Sequence, residues 1–451
     1  MVGEAHGLRL LQAAACVAGL VFATSAGAQD VSPSQAAKPP STPESKPQAA
    51  PQTTLTGDWG GLRTKLKDMG VDITSSYKEE AMGDVYGGLS PHQWAEAGEL
   101  DLGATIDAGK LWKLTGGVMQ VTITERQGEP PPGGLLQQSI EVYGRGNIFR
   151  LTEFWWRQKF MDDRLTVKFG RMPQGDFNGF TCDFVNLTFC GSPTGNLRGD
   201  IWFNWPIAQW AAWARYDFGD FDAMAGVYEV NPRDLDLQFS PGWFCCAAGA
   251  MGHLELGWTP SFGPSQLVGH YQAGVWDSTA PAPDVLIGPS GHPFALTGES
   301  PLERSGSYGI YLQGIQQITG KGTYDGDIGW KDKQGVSLFF NFAAADRATS
   351  MLDNQFTAGL TYAGPLPGRP DDVFGLAVGR THYNSRAAEA LLAATPGVEL
   401  PGSEYPLEAF YSIQATPWWD VRPDVQYIVH PGGYASARDE VQIGVRTDVK
   451  F

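Results

Sequence analysis

Apolar and polar residues alternate with a period of two along most of the chain. In the last segment Val441, Ile443, Val445, Val449 and Phe451 fall on one face, while Gln442, Arg446, Asp448 and Lys450 fall on the other. Such a period puts alternate side chains on opposite faces of a β-strand. Leu407, Ala409, Tyr411 and Ile413 likewise oppose Glu408, Ser412 and Gln414, and Leu100, Leu102, Ala104 and Ile106 oppose Asp101, Thr105 and Asp107. The same rhythm marks Tyr308 to Ile318, Val336 to Asp346 and Phe356 to Ala363. About sixteen such runs occur, most of them about seven to eleven residues long. They begin near Val71, Ala97, Gly116, Arg150, Arg164, Trp210, Phe221, Gly252, Leu267, Tyr308, Val336, Phe356, Val373, Leu407, Val421 and Val441.

A tilted strand needs about 9–11 residues to cross a bilayer, and bacterial barrels use even strand numbers. The intervals between the runs alternate long and short, as outer loops and periplasmic turns do. The rhythm lapses among the runs that start at Tyr308, Val336, Phe356 and Val373, which points to a misplaced boundary there. The predicted fold is all-β: a transmembrane antiparallel β-barrel of about 16 strands, with long extracellular loops and short periplasmic turns.

The first residues carry a different pattern. The apolar run Leu10 to Phe22 follows Arg9 and ends in the small residues Ala26-Gly27-Ala28, an export signal with its cleavage site over residues 1–28. Residues 29–54 are rich in Pro, Ala, Ser and Gln with almost no large apolar residue, the composition of a disordered tether. The barrel is expected over 55–451.

Composition sharpens this picture. The 451 residues include 57 Gly and 15 Trp, with 18% charged and 12% aromatic residues and a mean hydropathy of -0.22. Gly is a poor helix former and aromatics favour pleated surfaces, so a helix bundle is disfavoured. Lys+Arg 32 against Asp+Glu 49 gives a net charge of -17, the wrong sign for a nucleic-acid partner. An acidic lumen would favour cations and neutral solutes.

If the apolar face meets lipid, the other face lines a wet lumen. Glu153, Arg157 and Lys159 oppose Phe154, Trp156 and Phe160, and His270 and Gln272 oppose Leu267, Tyr271 and Val275. Trp418, Trp419 and Phe451 fall at strand ends or turns, where barrels carry aromatic girdles. The longest connection, Met172 to Gln209, is expected to fold into the mouth and narrow the pore.

That loop contains Cys182 and Cys190, and Cys245 and Cys246 sit together in another outer loop. Of five cysteines Cys16 lies in the leader, and the remaining four suggest two disulfides with three connectivities open. An adjacent pair closes on itself only with strain, which leaves bridging between the two regions open. Zinc is disfavoured because no C-x₂-C motif or His cluster is present. No catalytic motif survives inspection: Gly288-Pro289-Ser290-Gly291 lacks the G-x-S-x-G spacing, and Gly320-Lys321-Gly322 lacks the Ser/Thr of a P-loop.

Several blocks carry a resemblance. Leu55-Thr56-Gly57-Asp58-Trp59-Gly60-Gly61-Leu62-Arg63, Phe189-Cys190-Gly191, Gly359-Leu360 with Tyr362 and Pro367-Gly368-Arg369-Pro370-Asp371-Asp372 are among them. Another runs from Glu408 and Tyr411 through Pro423-Asp424-Val425-Gln426-Tyr427 to Pro431-Gly432-Gly433. Together they resemble the carbohydrate-selective (OprB-type) porins of Gram-negative bacteria, over about 55 to 451. The terminal Phe451 is similar to the assembly signal of such barrels. The resemblance implies a sixteen-stranded outer-membrane barrel passing mono- or disaccharides by passive diffusion, without a cofactor; homo-trimer and monomer both stay open.

A sugar presents hydroxyl edges and apolar faces. Glu153, Arg157, Lys159, His270 and Glu408 are the candidates for the edges, and Trp155, Trp213 and Trp276, all expected to point inward, for the faces. Binding must stay weak for flux to continue. Structural ion pairs across the wall, and packing roles for the tryptophans, stay open. So do two other functions: a general or cation-preferring porin, and a structural barrel without solute flux.

Overall fold

The computed structural model describes residues 52–89, 92–129, 133–143, 147–179, 183–236, 239, 246–325 and 329–451. The predicted leader and all of the tether up to residue 51 lie outside the described residues, as do Cys182 and Cys245.

Sixteen strands form the wall: β1 Val71–Tyr86, β2 Trp94–Asp107, β3 Gly117–Gly128, β4 Ile148–Phe160, β5 Leu165–Met172, β6 Gln209–Asp217, β7 Phe221–Val230, β8 Gly249–Trp258, β9 Leu267–Ser278, β10 Ser307–Gln317, β11 Gly329–Ala345, β12 Leu352–Ala363, β13 Val373–Tyr383, β14 Ser403–Thr416, β15 Trp419–Val429 and β16 Glu440–Lys450. Each pairs antiparallel with its sequence neighbours. The circle closes where β1 meets β16, with Ser76 opposite Lys450 and Met82 opposite Gly444. Closure leaves no edge strand, so the sheet itself supplies partners for the wall amides that would otherwise face lipid. No helix among the described residues is long and apolar enough to cross a membrane. Each predicted run lies on one of these strands.

The molecule is inside-out relative to a globular protein. On β16, Ile443 and Val445 are 42% exposed while Gln442 is 0% and Arg446 6% exposed. On β8, Leu254 and Leu256 face outward, whereas His253 and Glu255 are buried on the lumen side. The outer surface is apolar because it meets hydrocarbon. Around its lower rim Tyr216, Phe218, Phe221 and Trp258 stack in a row with ring centroids 6.0–6.4 Å apart. Trp258 continues to Tyr271 and Phe262, and Trp112 stacks on Trp156. This is an aromatic girdle, and Trp418 and Trp419 stack in the same way.

Parity changes once within β4. Thr152 is an extra residue between Leu151, opposite Ile123, and Glu153, opposite Thr122. Arg150 and Thr152 are buried on the lumen side, and beyond the bulge Glu153, Trp155 and Arg157 take over that face. A bulge shifts the two-residue count by one.

The loop series needs one correction. β1 continues to Tyr86 and β2 starts at Trp94, so the first outer connection is shorter than the turn 108–116 below it. The lapse near Val336 is a misplaced boundary, as expected: β11 runs for 17 residues and begins at Gly329 rather than Val336, while the outer connection that follows it, 346–351, is short. On the periplasmic side a short strand, Lys321–Asp325, pairs with the start of β11 and lengthens that turn.

Outer loops clasp one another. Arg304 and Arg386, from two different loops, both reach the fully buried Asp284 carboxylate, at 2.7 Å and 2.9 Å. Burial pushes that carboxyl up, but the amides of Ile287 and Leu286 and the two guanidinium groups hold it below its ordinary value.

A charge at the centre of the outer face tests the orientation of the wall. Leu312, midway along β10 and 46% exposed, becomes costly as Leu312→Arg, by about 2–4 kcal/mol in urea titrations of vesicle-folded protein. Unchanged stability would mean that this face does not meet lipid.

Candidate functional site

The hydrophobic core lies inside the barrel, between the wall and loops folded inward. The longest connection, 173–208, supplies most of it. Its Phe177, Leu197, Ile201 and Trp202 pack on Trp213, Tyr228, Met251, Trp276, Tyr311 and Ala343 of the wall. Further along, Phe184 and Phe189 pack on Phe339, Ala377 and Phe410. Each fully buried Phe contributes roughly 1.5–3 kcal/mol. The loop therefore does fold into the lumen, as its length and composition predicted.

Wall carboxylates fix its register. Glu408 accepts from the backbone N–H of Val185 at 2.6 Å and of Asn186 at 2.9 Å, while Asn186 Nδ2 donates to Gln426. Glu255 accepts from Asn178 N at 2.9 Å, and Gln355 and Gln313 donate to the carbonyls of Thr188 and Gly179. The far end crosses to β2, where Trp205 Nε1 donates to Glu99 at 3.2 Å.

A second outer loop, 133–143, folds in beside it. Glu404 accepts from Leu136 N, Gln137 N and Gly432 N, and Glu80 accepts from Val142 N. Ile140 and Val142 of this loop join Val185 of the longer one against Met82, Ala95 and Ala97. Glu141 meets three wall cations: Lys78 at 2.9 Å, Arg446 at 3.5 Å and Arg126 at 3.7 Å. Burial alone would raise its carboxyl, but the three cations bring it down to about 2, so it stays ionised.

Under these loops lies a cavity of about 990 Å³ that runs to the periplasmic turns. Gly175, Asp176, Gly191, Ser192 and Trp205 roof it, Lys78, Glu99, Glu153, Lys168 and Glu255 line its walls, and Asp163, Asp217 and Asp220 rim its lower end. Carboxylates outnumber cations in this lining, ten Asp and Glu against Lys78, Lys159, Lys168 and Arg215. On one side the Lys168 ammonium sits 4.2 Å over the Trp155 ring and 5.7 Å from the Trp213 ring. Asp176 of the long loop takes both Lys168 Nζ, at 2.8 Å, and Trp213 Nε1, at 2.9 Å. Glu153 accepts from Trp155 Nε1 at 3.0 Å and from Thr122 Oγ1 at 2.6 Å.

The candidate residues thus separate into groups. Glu153, Lys159 and His270 line the cavity, and Trp155 and Trp213 stand behind Lys168 beside it. Arg157 is on the lumen face of β4, opposite Lys168 in register. All three tryptophans point inward as expected, but Trp276 is 2% exposed inside the apolar cluster around Trp202. Glu408 is 1% exposed beneath the loop it holds, and neither residue lines this cavity. Sequence reasoning missed Lys168 and Glu255, although both sit on the polar face of an alternating strand. It also missed Asp176 and Trp205, which no periodicity marks.

The cysteine reading needs a correction. Cys190 is disulfide-bonded. Cys246 is a free, exposed thiol in a left-handed backbone position (φ 76°) just before β8, so the four cysteines do not make two disulfides. Cys182 and Cys245 lie outside the described residues.

Two of the singled-out motifs are braces. Arg63 donates to the carbonyls of Phe451 at 2.7 Å and Ile73 at 2.8 Å, while Asp58 takes the backbone and hydroxyl of Thr64. The segment thereby ties the start of the barrel to its end. Asp372 gathers Arg369, the Tyr411 hydroxyl and Gln414 N. Burial raises its carboxyl, yet these donors hold it below the usual carboxylate range.

A closed sixteen-strand barrel, apolar outside and wet inside, whose lumen is narrowed by pinned loops, is an outer-membrane porin. Residues 92–451 match the carbohydrate-selective porin, OprB family. The chain belongs to that family and is a sugar porin of the outer membrane, a channel in class. It is 37% identical over 424 residues to Porin B of Pseudomonas aeruginosa, covering 88% of this chain and 91% of that one. The high-pH structure of Pseudomonas putida OprB superposes with a TM-score of 0.82 at 35% identity, over 89% of this chain and 99% of that one.

Releasing the loop should widen the pore. In Glu408→Ala, Val185 N and Asn186 N lose their acceptors at a cost of about 1–3 kcal/mol each, and single-channel conductance in planar bilayers should rise and become noisier. Glu408→Gln, which keeps one acceptor, should fall between. Wild-type conductance in Glu408→Ala would show that the grip does not set the pore size.

Proposed function

We propose that sugar selectivity resides in the half of the channel beneath the long loop, where Lys168, Trp155, Trp213, Asp176 and Glu153 meet. The observation that carries this reading is the ammonium held over an aromatic ring and flanked by carboxylates at the cavity wall. A mono- or disaccharide meets the ring edges by apolar contact and exchanges its hydroxyls with Lys168 and Glu153. Each such bond replaces one to water, so the net gain is small and release is fast. Flow is then passive and follows the concentration gradient. The cavity volume lies at the upper end of the range for small-molecule sites, roughly 300–1,000 Å³, which suits a passing solute better than a captured one.

A second reading concerns charge. The excess of carboxylates around Asp163, Asp217, Asp220 and Asp222 supports a channel that also favours cations over anions. Neutral sugars are indifferent to that field, so the two readings are compatible.

Two bilayer measurements test this. Glucose should reduce the ion current of the wild type, and Lys168→Met or Trp155→Ala should raise the half-blocking concentration by about three- to tenfold. Unchanged half-block in both variants would remove this cluster from the sugar path. In a salt gradient the reversal potential should show cation preference, and anion preference would overturn the second reading.

A further inference from the structure

The chain reaches the barrel through a short periplasmic helix, α1 Leu62–Met69. Asp58 braces its first turn, and Gly70 ends it with φ of 103°, its N–H donating to Lys67 O at 3.0 Å. A Cβ on Gly70 would lie 2.8 Å from Lys110 Cβ and 3.0 Å from Asp107 O. Only glycine therefore lets the end of the helix rest on the turn 108–116. Lys110 Nζ donates back to Lys67 O at 3.2 Å. Helix and turn are thereby one surface, tied by Arg63 to Ile73 and Phe451 at the seam where β1 meets β16.

That surface is apolar and open. Leu62, Leu66 and Met69 recur at helical spacing on one stripe of α1; Leu62 and Met69 are exposed, as are Leu111 and Trp112 in the turn. Arg63, Lys67 and Gly70, on the adjacent face, make the contacts with wall and turn and leave the stripe uncovered among the described residues. The periplasmic girdle has a gap at this place. Trp112 and Trp156 flank it on one side, and Trp418 and Trp419 on the other. Between them the lower ends of β1 and β2 present Val71, Ile73, Ala104 and Ile106 outward, and no aromatic side chain. Charge is local too. In a chain of net charge -17, Lys65, Lys110, Lys113 and Lys450 gather here, exposed, and pair with no carboxylate among the described residues. Of the nearby carboxylates Asp72 is paired with Lys67 at 2.7 Å, while Asp58 and Asp107 accept from Thr64 and from Lys110 N. That leaves Asp68 alone against four ammonium groups.

We propose that α1 and the turn 108–116 dock on the periplasmic leaflet of the outer membrane and hold anionic phospholipid headgroups. The apolar stripe enters the boundary between headgroups and acyl chains, as amphipathic interfacial helices do. The lysine stems lie along apolar atoms while their ammonium groups meet lipid phosphate. An anionic lipid gains more here than a zwitterionic one, whose own amine offsets its phosphate. The surface continues the girdle across the closure seam and holds the first and last strands at one depth. None of its residues lines the cavity, so it is independent of the sugar path.

The test is native mass spectrometry of the full-length protein released from nanodiscs of equimolar phosphatidylglycerol and phosphatidylethanolamine. The wild type should retain phosphatidylglycerol in preference. Lys65→Gln/Lys110→Gln/Lys113→Gln should lower the retained ratio of the two lipids by about fivefold. Leu62→Ser/Met69→Ser, which keeps every charge, should lower the amount of both lipids retained. Arg438→Gln, which removes an exposed cation from the opposite, outer end, should leave the ratio as in the wild type. A wild-type ratio in the triple lysine variant would overturn the proposal, and so would an equal fall in Arg438→Gln. A dimer mass in the wild type that the Leu62 and Met69 substitutions abolish would also overturn it, in favour of a contact with a second copy. Heat-modified mobility on gels confirms that each variant is folded.

Discussion

Wall glutamates gripping loop amides are the interaction on which the rest of the channel depends. Glu80, Glu255, Glu404 and Glu408 each accept hydrogen bonds from backbone N–H groups of segments folded into the lumen. A buried carboxylate is costly unless its lone pairs are satisfied, and an inward loop is costly unless its amides are. Each solves the problem of the other. The apolar clusters around Trp202 and Phe184 supply more gross adhesion, but they are tolerant of sliding, and the directional bonds set where the loop lies.

From that grip follow the dimensions of the pore. A sixteen-strand barrel without inward loops is a wide aqueous channel. Here the long loop crosses from Glu255 past Glu408 to Glu99, and the shorter one closes over Lys78, Arg126 and Arg446 through Glu141. What remains is a cavity whose walls mix carboxylates, cations and aromatic rings, which is the chemistry a neutral polyhydroxylated solute meets. The aromatic enrichment of the sequence consequently serves two environments: the girdle outside and the loop-to-wall packing inside.

Much of the fold was legible in the sequence because the wall obeys a strict two-residue period. Val441 to Phe451 and Leu407 to Thr416 show the lipid and lumen faces without ambiguity. The period failed only where backbone geometry broke it, as at Thr152, and it could not locate strand ends that continue beyond the bilayer, as in β1 and β11. The site was legible in half. Inward parity picked out Glu153, Trp155 and His270, but parity says which face a residue takes and not what covers it. Trp276 and Glu408 have the same signature and lie beneath the loop. Asp176 and Trp205 come from irregular segments whose positions depend on contacts with distant strands, and no local pattern marks them.

The central claim is that this pinned, mixed-character lumen passes sugars in preference to other small neutral solutes. The most direct measurement is liposome swelling with the reconstituted full-length protein in matched solutions of glucose, a disaccharide and a size-matched zwitterionic amino acid. The account predicts fastest entry for glucose, slower entry for the disaccharide, and slower entry for the amino acid than its size alone would give. Equal rates for glucose and the amino acid would contradict it and leave a sieve without carbohydrate preference.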